Sequence, residues 1–354
     1  MSQQKLISPK APPVKRIIRN GNHSGRVKPF FKTASGELYL GKCEDILRSV
    51  RQKFAGKVQL IFTSPPFPLK RKKRYGNFTG ETYVEWLSAL APMFAEMLTD
   101  DGSIVIELGN AWEPEQPVQS LLPIKSLLAF VENKEAKLKL CQEFICFNPA
   151  RLPSPAQWVT IERIRAKDSF TRLWWMGKSA KPAADNRRVL REYSKAMKQL
   201  LARQSYNSGK RPSEHVISKN GFLARHRGAI SPNVITDDAT SIPSDLLIGA
   251  NTGSAEAYQM FCRERGVDLH PARMPRFLAE FFIKFLTKPG DLVLDPFSGS
   301  NVVASVAEEL KRRWLSIEAR EEYAIASVAR FDLDAATALI SQVAKNKAKK
   351  SHDR

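Results

Sequence analysis

The apolar positions of this chain switch between strand-like runs and helix-like spacing, and the switches mark out its elements. Gly36 to Leu47 (GELYLGKCEDIL) predicts a short strand, a turn at Gly41 and the start of a helix. Val58 to Phe62 is an apolar run suited to a strand covered on both faces of a parallel sheet. It ends where Pro65 and Pro66 forbid further ladder pairing. Glu81 to Leu98 has helical spacing, with Tyr83, Leu87, Leu90, Phe94 and Met97 along one side, and Pro92 inside it predicts a kink or a break. After the turn Asp100-Asp101-Gly102, Ser103 to Leu108 predicts a strand and Leu138 to Phe147 another.

From Asn148 to about Asp245 the periodicity is lost in a stretch rich in Arg, Lys, Ser, Pro and Trp, with some helix expected around Val189 to Arg203. Regular alternation resumes with a helix at Pro275 to Leu286, a strand at Asp291 to Leu294, a helix from Asn301 to Leu310, a strand at Trp314 to Ile317 and a helix from Glu321. Strands alternating with helices on both sides of an irregular insert predict one α/β sheet domain interrupted by a second domain. The expected boundaries are a basic arm at 1–32, sheet-forming segments at 33–148 and 246–335 around an insert at 149–245, and a basic, solvated tail at 336–354.

A chain of 354 residues, 43% of them hydrophobic, can bury a sizeable core. No apolar run approaches the roughly 18 residues of a membrane span, so no membrane partner is expected. Cys43, Cys141, Cys146 and Cys262 form no CxxC pair and no zinc spacing, which predicts reduced thiols in a cytosolic protein and no metal site. The net charge of +20 is unevenly placed: residues 1–32 carry +8 and residues 151–230 carry +13, which leaves the rest close to neutral. A neutral body with two basic zones points to a polyanionic partner.

Two short motifs carry chemistry. Asp295-Pro296-Phe297-Ser298-Gly299-Ser300-Asn301 follows a predicted strand. Gly299 lets the backbone pass close to a ligand, and the helix from Asn301 presents free N–H groups suited to a carboxylate or phosphate. Glu318, ending the next strand, can accept hydrogen bonds from both hydroxyls of a ribose. That set serves either a dinucleotide or S-adenosylmethionine, and the absence of a GxGxxG pattern weakens the dinucleotide reading. Ser64-Pro65-Pro66-Phe67 closes the earlier apolar run. The exocyclic amine of cytosine or adenine is a poor nucleophile, because its lone pair is delocalised into the ring. A hydroxyl and a carbonyl held rigidly by a proline pair can draw it toward tetrahedral geometry, and an aromatic can stack on a base taken out of the duplex. Both motifs sit at strand carboxyl ends, where open α/β sheets bind their ligands.

Taken with Tyr75-Gly76-Asn77, Asn148-Pro149, Leu152-Pro153-Ser154-Pro155, Trp158, Trp174-Trp175 and His270-Pro271-Ala272-Arg273, these motifs make the chain resemble an amino-DNA methyltransferase of the beta arrangement. It is most similar to the PvuII-type N4-cytosine modification methyltransferases, over about residues 36–335. The resemblance implies a seven-stranded Rossmann-like methyltransferase sheet with an inserted target-recognition domain. It implies S-adenosylmethionine held by Asp295, Phe297, Gly299, Ser300 and Asn301, with Glu318 on its ribose. His270 and Pro271 would open the helix that closes over its methionine end. Ser64 and the Pro65 carbonyl would hold the N4 amine, with Pro66 stiffening the loop and Phe67 stacked on the flipped cytosine. Serine at the head of this motif favours cytosine N4 over adenine N6.

Two departures from the family pattern stand out. Gly41-Lys42-Cys43 replaces the usual Gly-Asp, so the acidic contact there is missing or moved to Asp45, and Val302-Val303 replace threonines after the cofactor turn. The expected partner is double-stranded DNA. Lys70, Arg71, Lys72, Lys73 and Arg74 stand where the phosphates flanking a base held by Phe67 must pass. Base-reading side chains are expected in 151–230, whereas Trp158, Trp174 and Trp175 are expected in the core. The implied setting is the bacterial cytoplasm, beside a cognate restriction endonuclease that acts on the same site without stable association. An adenine-N6 enzyme and a non-catalytic DNA-binding relative are the competing readings.

Overall fold

The computed structural model describes residues 27–67, 80–235 and 257–352. Its strands are β1 (Phe31–Lys32), β2 (Gly36–Leu40), β3 (Val58–Thr63), β4 (Leu98–Gly109), β5 (Lys139–Phe147), β6 (Phe170–Gly177), β7 (Gly209–Lys210), β8 (Val216–Ile217), β9 (Val234–Ile235), β10 (Leu292–Asp295) and β11 (Arg313–Glu318). Its helices are α1 (Cys43–Phe54), α2 (Glu81–Met97), α3 (Leu122–Val131), α4 (Lys195–Arg203), α5 (Ala257–Arg265), α6 (Arg276–Leu286), α7 (Val302–Glu309), α8 (Glu321–Val328) and α9 (Leu333–His352).

Nine strands form one mixed sheet in the order β1-β2-β11-β10-β3-β4-β6-β5-β9. The run β2-β11-β10-β3-β4 is parallel throughout, as its apolar strands foretold. All six residues of β3 are buried, with Leu60 and Phe62 packed toward α6 and α7 on one face and Ile61 toward α1, α2 and α3 on the other. The sheet therefore has two apolar cores, one on each side. The expected seven strands are present, and the two-residue strands β1 and β9 extend its edges to nine.

Strand β6 corrects the sequence reading. It lies in the main sheet, antiparallel to both β4 and β5, although residues 170–177 fell inside the expected insert. Leu173, Trp174, Trp175 and Met176 are all buried, so the strand shows no alternation, and Arg172 interrupts its apolar run. Trp174 and Trp175 are core residues as expected, and Trp175 Nε1 donates to Ser103 Oγ at 2.9 Å. Outside β6, the stretch from 178 to 230 holds short elements: a 3-10 turn at Asn186–Val189, α4 and the β7–β8 hairpin.

Pro92 does not break α2. Its missing N–H leaves the Ser88 carbonyl without a helical donor, and Asn133 Nδ2 supplies one at 3.0 Å. The residues expected as a solvated tail continue α9 as far as His352. Helices α3 and α5 were not foreseen. All four cysteines are free. Among the described residues no group of side chains could hold a metal ion, and no helix is long and apolar enough to cross a membrane.

Candidate functional site

The site follows from strand order. Strands β11, β10, β3 and β4 are consecutive neighbours and parallel, so the segments leaving their carboxyl ends emerge side by side. Chain order reverses here: β3 leads to β4 on one side, while β10, reached more than two hundred residues later, returns on the other. This is the switch point at which open sheets form their ligand crevices. A cavity of about 710 Å³ occupies it, within the range typical of ligand sites.

Both motifs line that cavity. Ser64, Pro65, Pro66 and Phe67 come from the end of β3, Asp295, Phe297, Gly299 and Ser300 from the end of β10, Glu318 from the end of β11, and His270 and Pro271 from the segment before α6. A direct hydrogen bond joins the two halves: Thr63 Oγ1 donates to Asp295 Oδ1 at 2.7 Å, in the interior. The Phe297 N–H donates to the same oxygen at 3.1 Å. Burial pushes the Asp295 carboxyl up to about 7, against the pull of these two donors, and nearby Glu318 pushes it the same way.

The turn after β10 is built around the Glu318 carboxylate. Gly299 N–H donates to Oε2 at 2.9 Å and Arg320 N–H to Oε1 at 2.8 Å, which aims both oxygens and leaves each a further lone pair. Burial raises the Glu318 pKa. Gly299 has φ +49°, and a Cβ there would lie 2.9 Å from the His270 ring, which also makes a T-shaped contact with Tyr323 at 4.6 Å between centroids. Glycine is therefore required on two grounds, conformation and space.

Three expectations need correction. Asn301 does not line the cavity: it is fully buried, with φ +59°, and its Oδ1 accepts from Ser316 Oγ at 2.7 Å. Its side chain braces the turn against β11. His270-Pro271-Ala272-Arg273 is not the start of a helix, because α6 begins only at Arg276, after Pro275. The acid of the α1 entry is Glu44, which lines the cavity and accepts from Trp86 Nε1 at 2.6 Å, whereas Asp45 is exposed and paired with Arg48. Helical rotation decides this, since adjacent residues point about 100° apart. Lys70, Arg71, Lys72, Lys73 and Arg74 lie outside the described residues, as do residues 1–26 of the arm.

Sequence reasoning missed Glu107. It sits near the end of β4, beside β3, where Thr63 pairs with Ile106. Its carboxyl is buried and accepts from Thr171 Oγ1 at 2.9 Å, and the nearby Ser64 hydroxyl favours its charged form. Burial raises its pKa, and Arg151 opposes that rise. Arg151 also lines the cavity, held by Asp168 at 3.2 Å and by the Phe170 carbonyl at 3.0 Å. A lone acid in an otherwise apolar strand was the available signal: in Ser103-Ile-Val-Ile-Glu107-Leu a buried charge needs a reason.

Comparison with known proteins identifies the family. Residues 58–329 match the profile of the N6/N4 methyltransferase family, described as a DNA methylase. Over 306 residues the chain is 38% identical to the Type II methyltransferase M.PvuII of Proteus hauseri, spanning 86% of each protein. It is 22% identical over 302 residues to the Type II methyltransferase M.BglII of Bacillus subtilis, spanning 83% of this chain and 68% of that one. The solved structure of the cytosine-N4-specific PvuII DNA methyltransferase superimposes with a TM-score of 0.67 at 32% identity, covering 89% of this chain and 95% of its own.

Proposed function

The chain belongs to the N6/N4 DNA methylase family, and from that premise we propose that it transfers a methyl group from S-adenosylmethionine to N4 of a cytosine flipped out of duplex DNA. One observation carries the reading: the Ser64 to Phe67 loop and the turn after β10 line one cavity and are joined by the 2.7 Å Thr63–Asp295 hydrogen bond. A hydroxyl beside a rigid proline carbonyl is thus placed next to a cradle for a ribose and a carboxylate.

The residues present fit the cofactor. Glu318 offers an acceptor from each oxygen for two ribose hydroxyls, the Ser298 hydroxyl is buried without a partner at the cavity wall, and the glycine turn leaves room that a Cβ would fill. Phe297 and Trp86, whose centroids are 5.6 Å apart, supply aromatic surface for an adenine. When bound, S-adenosylmethionine supplies an electrophilic methyl group on a cationic sulfonium.

The chain's own groups prepare the amine. The Ser64 hydroxyl lies close enough to Glu107 to favour its charged form; with the Ser64 proton directed there, its oxygen is free to accept an N4 hydrogen, and the Pro65 carbonyl accepts the other. Those two acceptors localise the nitrogen lone pair. As N4 becomes tetravalent its surplus proton passes to Ser64 Oγ while the Ser64 proton passes to Glu107. Burial makes the Glu107 carboxylate a stronger base for that step. Phe67 covers one face of the base.

The arm and the run from Lys70 to Arg74 supply phosphate contacts by virtue of their charge and sequence position, and bases are read by the basic 151–230 stretch. A restriction–modification role in the cytoplasm, beside an endonuclease of the same specificity that forms no stable complex with it, completes the proposal. Digesting DNA methylated by the purified protein to nucleosides tests it. N4-methylcytosine is the expected product, N6-methyladenine alone would move the reaction to adenine, and neither product would leave a DNA-binding protein without turnover.

A further inference from the structure

Among the described residues, the segment that runs from Arg151 at the cavity wall to Lys167 exposes several apolar side chains. Leu152 is 80% exposed and Ile161 68% exposed, with Ile164 also open to solvent. The exposure is not that of a slack loop. The Trp158 carbonyl accepts from the Ile164 and Arg165 N–H groups at 2.9 and 3.3 Å, Arg165 Nε donates to the Pro117 carbonyl at 2.8 Å, and the Trp158 ring packs on Trp112 at 5.8 Å between centroids. At its base, Arg151 is pinned by Asp168, which is itself held by Asn110 at 2.9 Å. The same segment carries Arg163, Arg165 and Lys167, all exposed.

An ordered segment that carries both exposed leucine and exposed cations is poorly matched to water and well matched to a polyanion with an apolar interior. Duplex DNA has that form, because its stacked bases lie between two rows of phosphates. A base turned out into the cavity leaves a gap in the stack, and apolar side chains such as leucine fill such gaps in proteins that unstack base steps. Of the three exposed residues, Leu152 is the one whose immediate neighbour, Arg151, lines the cavity. It is therefore the one that adjoins, along the chain, the cavity a flipped base would enter.

We propose that Leu152 is the wedge that enters the duplex and holds the target base out, with Arg151 marking the boundary between the vacated stack and the catalytic cavity. This rests on the base-flipping reading above. It adds a specific DNA contact outside the methyl-transfer machinery.

The test is single-turnover methylation of two duplexes carrying the recognised site, one with the target cytosine paired to guanine and one with it mispaired to adenine. Mispairing removes much of the cost of opening the base, so a wedge becomes dispensable. Leu152→Ala should methylate the paired duplex about tenfold more slowly than wild type and the mispaired duplex at close to the wild-type rate. Leu152→Met, which keeps length and apolar character, should stay near wild type on both. An equal loss on both duplexes would make Leu152 a structural residue, and no loss on either would remove it from flipping; both results overturn the proposal. A wild-type protein that methylates cytosine in neither duplex would overturn the function itself and the wedge with it.

Discussion

Two segments border the same cavity and treat their side chains in opposite ways. Around the turn after β10, Asp295, Ser298, Ser300 and the facing Glu318 of β11 are buried, and the two carboxylates are aimed by backbone N–H groups of the turn and of Arg320. In the segment from Arg151 to Lys167, most residues are exposed, apolar and cationic side chains alike. The contrast follows from the ligands each would meet. A small cofactor of fixed shape is bound best by acceptors set before it arrives, since little ordering cost is then left to binding. A duplex is long and regular, and must be entered from outside by side chains that project.

If the preorganised side of the cavity carries the chemistry, damage there should cost most. Ser64→Ala removes the hydroxyl that meets the amine and should slow methyl transfer by about 10²–10³-fold, while duplex and cofactor affinity stay near wild type. Rapid-quench methylation set against gel-shift binding measures both, and an unchanged rate would take Ser64 out of the mechanism. Gly299→Ala tests the cradle. It forces an L residue into φ +49° and places a Cβ 2.9 Å from the His270 ring, so S-adenosylmethionine affinity should fall on the order of tenfold. Calorimetry would register this, and an unaltered affinity would show that the turn adjusts freely.

The smallest effect concerns pH. Burial pushes the Asp295 carboxyl up to about 7. A cationic sulfonium nearby favours its charged form, so below that pH cofactor binding must expel a proton. Affinity should accordingly rise several-fold as pH increases from 6 to 8 and level off above, and Asp295→Asn should flatten the profile. A wild-type profile already flat would place the sulfonium beyond the reach of Asp295.

Legibility in the sequence followed the same divide. The β3 run and its Ser64-Pro65-Pro66-Phe67 ending, the β10 strand with its glycine turn, and Glu318 at the end of β11 could be read because each is a local pattern: an apolar run, then a residue type the chemistry requires. Glu107 and Arg151 could not be placed in that way. Glu107 is one acid in an apolar strand, and it acquires meaning only because β4 lies beside β3 and brings it to Ser64. Strand β6 was hidden for a related reason: burial on both faces removed its alternation, and the surrounding Arg, Lys and Pro residues resembled a surface insert. Asn301 failed in the opposite direction. Its motif position suggested a ligand contact, but the αL turn directs its side chain inward to Ser316.

The sequence by itself determined the parallel half of the sheet, the two loops at its carboxyl edge and the positive charge that fits a polyanionic partner. Those properties are carried by runs of a few residues whose hydrophobicity, backbone restriction or charge acts locally. Only the tertiary structure decided that the loops, more than two hundred residues apart, share one cavity, that Thr63 reaches Asp295, and that Glu107 stands near the Ser64 hydroxyl. Those depend on which strands are neighbours, and strand order is set by the packing of helices on both faces of the sheet.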